Sequence, residues 1–480
     1  MPDRSAVMEH NGPSRTHQLV FVLFQLSVIY VLALNDSVQY LPLVVLGILY
    51  YIWSIRRPEV WLFTVISFYI LILQPSEGIT IWEILFAVYF FGIIGIWFIR
   101  KWLASEQIIF TFADRMLIVF QLICVLSFVP GMMNHADPVK WFRESIIFFS
   151  YLFYFPAREA MLRQKSLRWV GLGFLILSSY VAVSNFIKYK TAATSAVYLW
   201  QLLSGRQTAN EPLFLTAIVV GISLFLFART TSLRIVLLAM ISFFTIALAV
   251  TFSRGYWVGA IVAVAVMLYL LQGRDRWKLA VSLAVLAAAG VTIIFLLFHS
   301  TGSAILESMA QRLSSHSLHP TRDISLESRL AESRVIVHAI LTNPILGYGL
   351  GVLFKFPDPI LKWTYQTWYV HNGYLFLWFK LGFFGLLTYL MTFGSMIVDA
   401  SAMLKRRAGQ FESYLLVGIS SLLLSMLIIS LTSPQFIARD SILIINLSWA
   451  YIGSEHLREE QSAPRLGKVS STTTPMDFEK

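Results

Sequence analysis

A chain of 480 residues that is 57% hydrophobic and 13% charged, with a mean hydropathy of +0.70, is not an ordinary soluble domain, since those carry about 25% charged residues. The net charge of +11 does not point to nucleic acid, because the basic residues fall in short loops between apolar runs, which is the positive-inside pattern of membrane proteins. A single cysteine, Cys124, excludes an intrachain disulfide and a cysteine-rich metal site.

Taken in chain order, residues 1–17 are polar and read as a cytoplasmic tail without a cleavable signal. Apolar runs follow at 18–34 and 38–55, before Arg56-Arg57, and at 60–74 and 79–99, before Arg100-Lys101. The runs at 108–129 and 141–157 precede Arg158, Arg163, Lys165 and Arg168; those at 169–187 and 212–228 precede Arg229 and Arg234. The pair 233–251 and 255–271 precedes Arg274, Arg276 and Lys278, and a run at 279–298 opens onto a long loop, 299–372. Runs at 373–399, 411–431 and 440–453 close the series, with Lys405-Arg406-Arg407 between the first two.

At roughly 20 apolar residues per crossing, the runs allow about 12 to 14 spans. Hydrocarbon offers the backbone no hydrogen-bond partner, so runs this long are expected to be helices. The fold expected is therefore an all-α integral membrane protein. Its parts are a tail (1–17), a membrane bundle (18–298), an extracytoplasmic loop (299–372), three further spans (373–453) and a polar, low-complexity cytoplasmic tail (454–480). Because every second loop is basic, both termini are expected inside and the long loop outside.

That loop has structure of its own. Leu326, Leu330, Val337, Ile340 and Leu341 approximate helical spacing, which predicts a helix over 326–342 ended by Asn343-Pro344. Gly347, Gly349 and Gly351 then permit left-handed backbone and close approach. The stretch 354–369 is rich in aromatics, including Phe354, Trp363 and Tyr369, and suits either the membrane interface or a sugar ring.

The residues suited to chemistry lie on the outer side. His371 stands just before a span; a neutral imidazole there can act as general base, or it is an interfacial histidine with Asn372 as helix cap. Arg254, within Ser253-Arg254-Gly255, falls between two tight spans, either as a functional charge or as a snorkelling anchor. Arg329 and Arg334 lie five apart on the loop helix, too far around it to share one face closely. Arg206 sits in another outer loop ending at Asn210, where an ordinary exposed charge is the plainer explanation. Clustered guanidinium groups suit a phosphate or diphosphate, which they grip bidentately. No aspartates stand at i, i+2 anywhere in the chain, so the acidic pair usual for a metal-bound sugar nucleotide is missing.

In this order, Ser253-Arg254-Gly255, Ser328-Arg329, Asn343-Pro344-Ile345-Leu346-Gly347-Tyr348-Gly349-Leu350-Gly351 and His371-Asn372-Gly373 resemble the O-antigen ligase/polymerase family of bacterial membrane proteins. The resemblance implies a fold similar to membrane-embedded, GT-C-like glycosyltransferases. It implies a polyprenyl-diphosphate-linked glycan as donor, a lipid-core or growing-glycan hydroxyl as acceptor, and metal-independent transfer without a cofactor. On this resemblance His371 would be the base. Arg254 and Arg329, with Arg334 and Arg206, would bind the diphosphate, and Ser253, Gly255, Pro344, Gly347, Gly349, Gly351 and Asn372 would shape the site. A ligase and a polymerase share these motifs, and a transporter or a non-catalytic assembly subunit are the readings from other classes.

Overall fold

Among the described residues, the apolar runs are helices. The computed structural model describes residues 41–72, 80–195, 210–271, 273–297, 303, 307, 324–358, 362–406 and 410–462. The chain divides into two units, Met1–Trp61 and Leu62–Lys480. The described part of the first holds α1 (Leu41–Ile55) and the start of α2 (Pro58–Ser67). All that follows concerns the second.

After α2, α3 spans Ile81–Leu103 and α4 spans Phe112–Leu126. Both begin with a capping box, Thr80 with Glu83 and Thr111 with Asp114, in which each side chain satisfies a backbone N–H the first turn leaves unpaired. A short α5 (Phe128–Met133) is followed by α6 (Pro138–Phe149), which starts on an Asp137 cap with proline in the first turn. The 141–157 run is not one continuous helix. A 3₁₀ turn at Ser150–Phe153 separates α6 from α7 (Tyr154–Met161). That break places Pro156 in a first turn, where its missing N–H costs nothing.

Next come α8 (Gln164–Thr194), α9 (Glu211–Phe227), α10 (Thr231–Val250), α11 (Arg254–Leu270) and α12 (Gly273–Leu297). The loop contributes α13 (Ile324–Thr342) and an antiparallel hairpin, β1 (Phe354–Asp358) with β2 (Trp363–Thr367). Then follow α14 (Gly373–Arg406), α15 (Phe411–Ile429) and α16 (Arg439–Ser462).

Among the described residues, six helices are long and apolar enough to cross a membrane, and four apolar helices are shorter. The protein is a multi-pass, helical membrane protein. The 18–34 run and most of the 299–323 stretch lie outside the described residues. The hairpin was not expected: the aromatic stretch is two paired strands, with Phe354, Phe356 and Asp358 turned inward and Lys355 and Pro357 outward. Its alternation carried the period-2 signal of a strand.

An aromatic core lies among the 3₁₀ turn, α14, α16 and the segment before α16, at Tyr151, Tyr389, Phe436 and Trp449. Tyr151 and Tyr389 share a hydrogen bond of 2.8 Å, Tyr151 Oη donates to the Phe436 carbonyl at 3.0 Å, and Trp449, fully buried, packs against both tyrosine rings. Elsewhere Asp114, buried, accepts from Tyr154 Oη and Arg158 Nη1, each at 2.7 Å. A buried charge is tolerated only when paired and hydrogen-bonded in this way.

Candidate active site

The glycine turn between α13 and β1 is spliced into α14. Gly382 has φ +70° and ψ −175°, so α14 breaks there and its hydrogen-bond ladder is interrupted. The turn supplies the missing partners. Tyr348 N–H donates to the Phe379 carbonyl (2.8 Å) and Gly349 N–H to the Lys380 carbonyl (2.9 Å). In return the Pro344 carbonyl accepts from Phe383 N–H (3.0 Å) and Trp378 Nε1 (2.9 Å). The glycines are required by space as well as by torsion. A Cβ on Gly349 (φ +91°) would lie 2.2 Å from the Gly131 nitrogen, and one on Gly347 would lie 2.4 Å from the Gly382 nitrogen. Gly347, Gly349 and Gly351 therefore face protein backbone.

A buried ion pair completes this junction. Lys380 Nζ donates to Glu144 Oε1 (3.0 Å) and to the Val352 carbonyl (2.6 Å), and Glu144 Oε2 accepts Gly351 N–H at 2.9 Å. Both charged side chains are almost wholly buried, so each spends its charge on the other and on the turn. Neither residue stood out in the sequence.

His371 lies two residues before α14, and its ring is 40% exposed. Asn372 Oδ1 accepts from the backbone of Tyr374 (3.0 Å) and Leu375 (3.1 Å), which caps the helix. Glu332, buried on α13, takes hold of His371 twice. Its Oε2 accepts the His371 backbone N–H at 2.8 Å and lies 3.0 Å from Nδ1, with Oε1 3.2 Å from the same nitrogen. Among the described residues no hydrogen bond reaches Nε2. Tyr369 sets its ring edge-on to the imidazole at 5.0 Å. Burial, with a push from Glu332 and partial relief from Arg329, raises the Tyr369 phenol to about 12.

Arg329 lies one turn before Glu332 on α13, so the two side chains share a face. Arg329 Nη1 donates to the Thr432 carbonyl at 3.0 Å. The segment carrying Thr432, between α15 and α16, ties the site together. Its Ser430 carbonyl accepts Gly373 N–H at 2.8 Å, next to His371. Its Gln435 Oε1 accepts from Tyr256 Oη (2.7 Å) and Ser441 Oγ (2.6 Å). Thr432 Oγ1 lies 3.2 Å from where a Cβ on Gly255 would stand. Arg254, half-buried, is the first residue of α11 and directly precedes Gly255; Ser253 precedes it at the cap position. The 430–435 segment thus touches the start of α11, the Arg329 side chain and the start of α14.

The structure brings Arg329, the His371–Glu332 pair and the start of α11, which Arg254 opens, to this segment. Arg334 is not among them: it is exposed and lies on the side of α13 away from the buried Glu332, Ile336 and Ile340. Arg206 lies outside the described residues. Sequence reading missed Glu332 and Thr432. A glutamate one turn after an arginine, on the inward face of a helix, was the available signal for the first; the second, a backbone acceptor, left none.

Residues 236–390 match the family described as O-antigen ligase (Wzy_C). That stretch of the chain carries an O-antigen ligase domain. The matched O-antigen ligase domain covers about a third of the chain and includes Arg254, Arg329, Glu332, the glycine turn and His371. It ends within α14, before the 430–435 segment that joins these parts. No curated protein matches the chain.

Proposed function

We propose that this O-antigen ligase-family protein transfers a polyprenyl-diphosphate-linked glycan onto an acceptor hydroxyl at the outer face of the bacterial cytoplasmic membrane. The observation that carries the reading is the meeting of His371, with an open ring edge, and two arginine-bearing helix segments on one short loop. His371 takes the proton of the acceptor hydroxyl. The hydroxyl oxygen attacks the anomeric carbon, and the bond from that carbon to the diphosphate breaks. The departing diphosphate gains negative charge, which Arg254 and Arg329 stabilise as fixed donors in a site of low dielectric. Nothing in this scheme routes through a metal or a cofactor. The basic loops support a reading with both termini in the cytoplasm and the site outside.

The test is a gel of surface glycan from a strain lacking the protein, complemented with wild type or with His371→Ala. General-base catalysis typically contributes about 10²- to 10⁴-fold, so His371→Ala should leave almost no product at normal protein level. Full-length chains held on the carrier in the deletion strain would mark a ligase. Single repeat units there, with a ladder restored by wild type, would mark a polymerase of the same family. Normal glycan from a well-expressed His371→Ala strain would remove His371 from the chemistry.

A further inference from the structure

We infer that Glu332 is the positioning residue for His371, and that it makes Nε2 the atom that receives the acceptor's proton. The inference rests on the reading of His371 as base. Three observations support it. First, the carboxylate is buried while the imidazole is 40% exposed, so Glu332 contacts the histidine from inside and leaves the outer edge open. Second, one carboxylate oxygen holds both the backbone N–H (2.8 Å) and Nδ1 (3.0 Å) of His371, which fixes the residue's position and the plane of its ring together. Third, the tautomer of a histidine follows from the bond its other nitrogen makes. A carboxylate accepts only, so Nδ1 carries the hydrogen and Nε2 keeps the lone pair.

A structural ion pair predicts something different. The neighbouring pair Lys380–Glu144 shows that case: both partners are buried and both are committed to holding backbone. In the Glu332 pair the histidine nitrogen turned away from the carboxylate has no partner among the described residues. The other ionisable groups facing this pair are Arg329, one turn back on α13, and Tyr369 and Tyr365, both of which feel the Glu332 charge.

The proton balance is simple. The acceptor hydroxyl gives its proton to Nε2 as its oxygen bonds to the anomeric carbon, and the diphosphate leaves with the electron pair of the broken bond. The imidazolium keeps its Nδ1 hydrogen on Glu332 until Nε2 returns its proton to water. Glu332 itself neither gains nor loses a proton and touches no reacting atom.

The experiment uses the full-length protein in detergent or nanodiscs, with radiolabelled polyprenyl-diphosphate-linked glycan extracted from a strain lacking the protein and the strain's own acceptor. Wild type, Glu332→Gln, Glu332→Asp, His371→Ala and the double variant Glu332→Gln/His371→Ala are compared. Glu332→Gln keeps size and a neutral acceptor but loses charge. It should lower kcat about 10- to 100-fold, the worth of one hydrogen bond to a charged group, and leave the donor KM within about twofold. Glu332→Asp, with its carboxylate drawn back by one methylene, should fall between wild type and Glu332→Gln. Adding Glu332→Gln to His371→Ala should cost nothing more, because a residue that acts through another shows no separate effect once that one is gone. Wild-type kcat in Glu332→Gln, with His371→Ala inactive, overturns this inference and spares the base. So does an added loss in the double variant, or a loss that appears in KM alone. Activity in His371→Ala overturns the base itself. If Glu332→Gln fails to reach the membrane, Glu332→Asp carries the comparison, and a wild-type kcat there overturns the inference.

Discussion

Two carboxylate–nitrogen pairs, Lys380–Glu144 and His371–Glu332, have partners only nine positions apart on the chain, and they are built differently. At Lys380–Glu144 the side chains are 0% and 7% exposed, and both charges are spent on each other and on the backbone of the glycine turn. At His371–Glu332 the carboxylate is 5% exposed and the imidazole 40%. The first pair is closed on both sides and holds a loop in place. The second is closed on one side only and offers its free edge outward. The same kind of contact is sealed on both sides at one place and open on one side at the other; the proposed chemistry uses the open one.

The sharpest way to break the closed pair is to remove its cation. Lys380→Met leaves Glu144 buried with the Gly351 N–H as its main partner, and should cost about 3–5 kcal/mol, read as a lower melting temperature of the detergent-purified protein. Adding Glu144→Gln should recover most of that loss, since an apolar or neutral replacement of both partners is usually tolerated. A wild-type melting curve for Lys380→Met would show that the pair does not hold the turn.

The open side is probed by Arg329→Ala, which should lower transfer about 10²- to 10³-fold, equivalent to about 2.7–4 kcal/mol of charge stabilisation, with little change in melting temperature. Loss of fold in place of activity would move Arg329 from the open class to the closed one.

Gly349→Ala tests the closed side through the backbone. Its φ of +91° and a Cβ only 2.2 Å from the Gly131 nitrogen require the turn to move, at about 1–3 kcal/mol. The loss should appear in stability, with the activity of the surviving protein close to normal. The smallest effect is expected at Arg334, exposed on the outer side of α13. Arg334→Ala should stay within about 0.5 kcal/mol in both assays, and a large loss of transfer would bring Arg334 back into the site.

How much of this was legible in the sequence follows the range of the interactions. The apolar helices were legible because apolarity over some twenty residues is a local property; the runs at 212–228, 233–251 and 255–271 correspond to α9, α10 and α11 within two residues at each end. The loop helix was legible too, from its spacing and from Asn343-Pro344 at its end. What joins the site was not. Glu332 meets His371 across 39 residues, Arg329 meets Thr432 across 103, and Lys380 meets Glu144 across 236. No periodicity links positions that far apart. The glycine triplet shows the limit from another side: it announced a tight turn, but its space is filled by Gly131, Trp141 and Gly382, which only the folded chain brings to it.

The break at Gly382 bears on how this protein can be recombined with its relatives. A spanning helix whose ladder is completed by a loop from outside it is not an independent part. From Pro344 to Phe383 the turn and the N-terminal part of α14 exchange backbone hydrogen bonds in both directions. A chimera joined within that stretch would strand carbonyls and N–H groups that the two segments now satisfy for each other. Exchanges of this loop with proteins carrying the same domain should therefore move residues 343–383 as one cassette, with the crossover points in α13 and in the C-terminal half of α14.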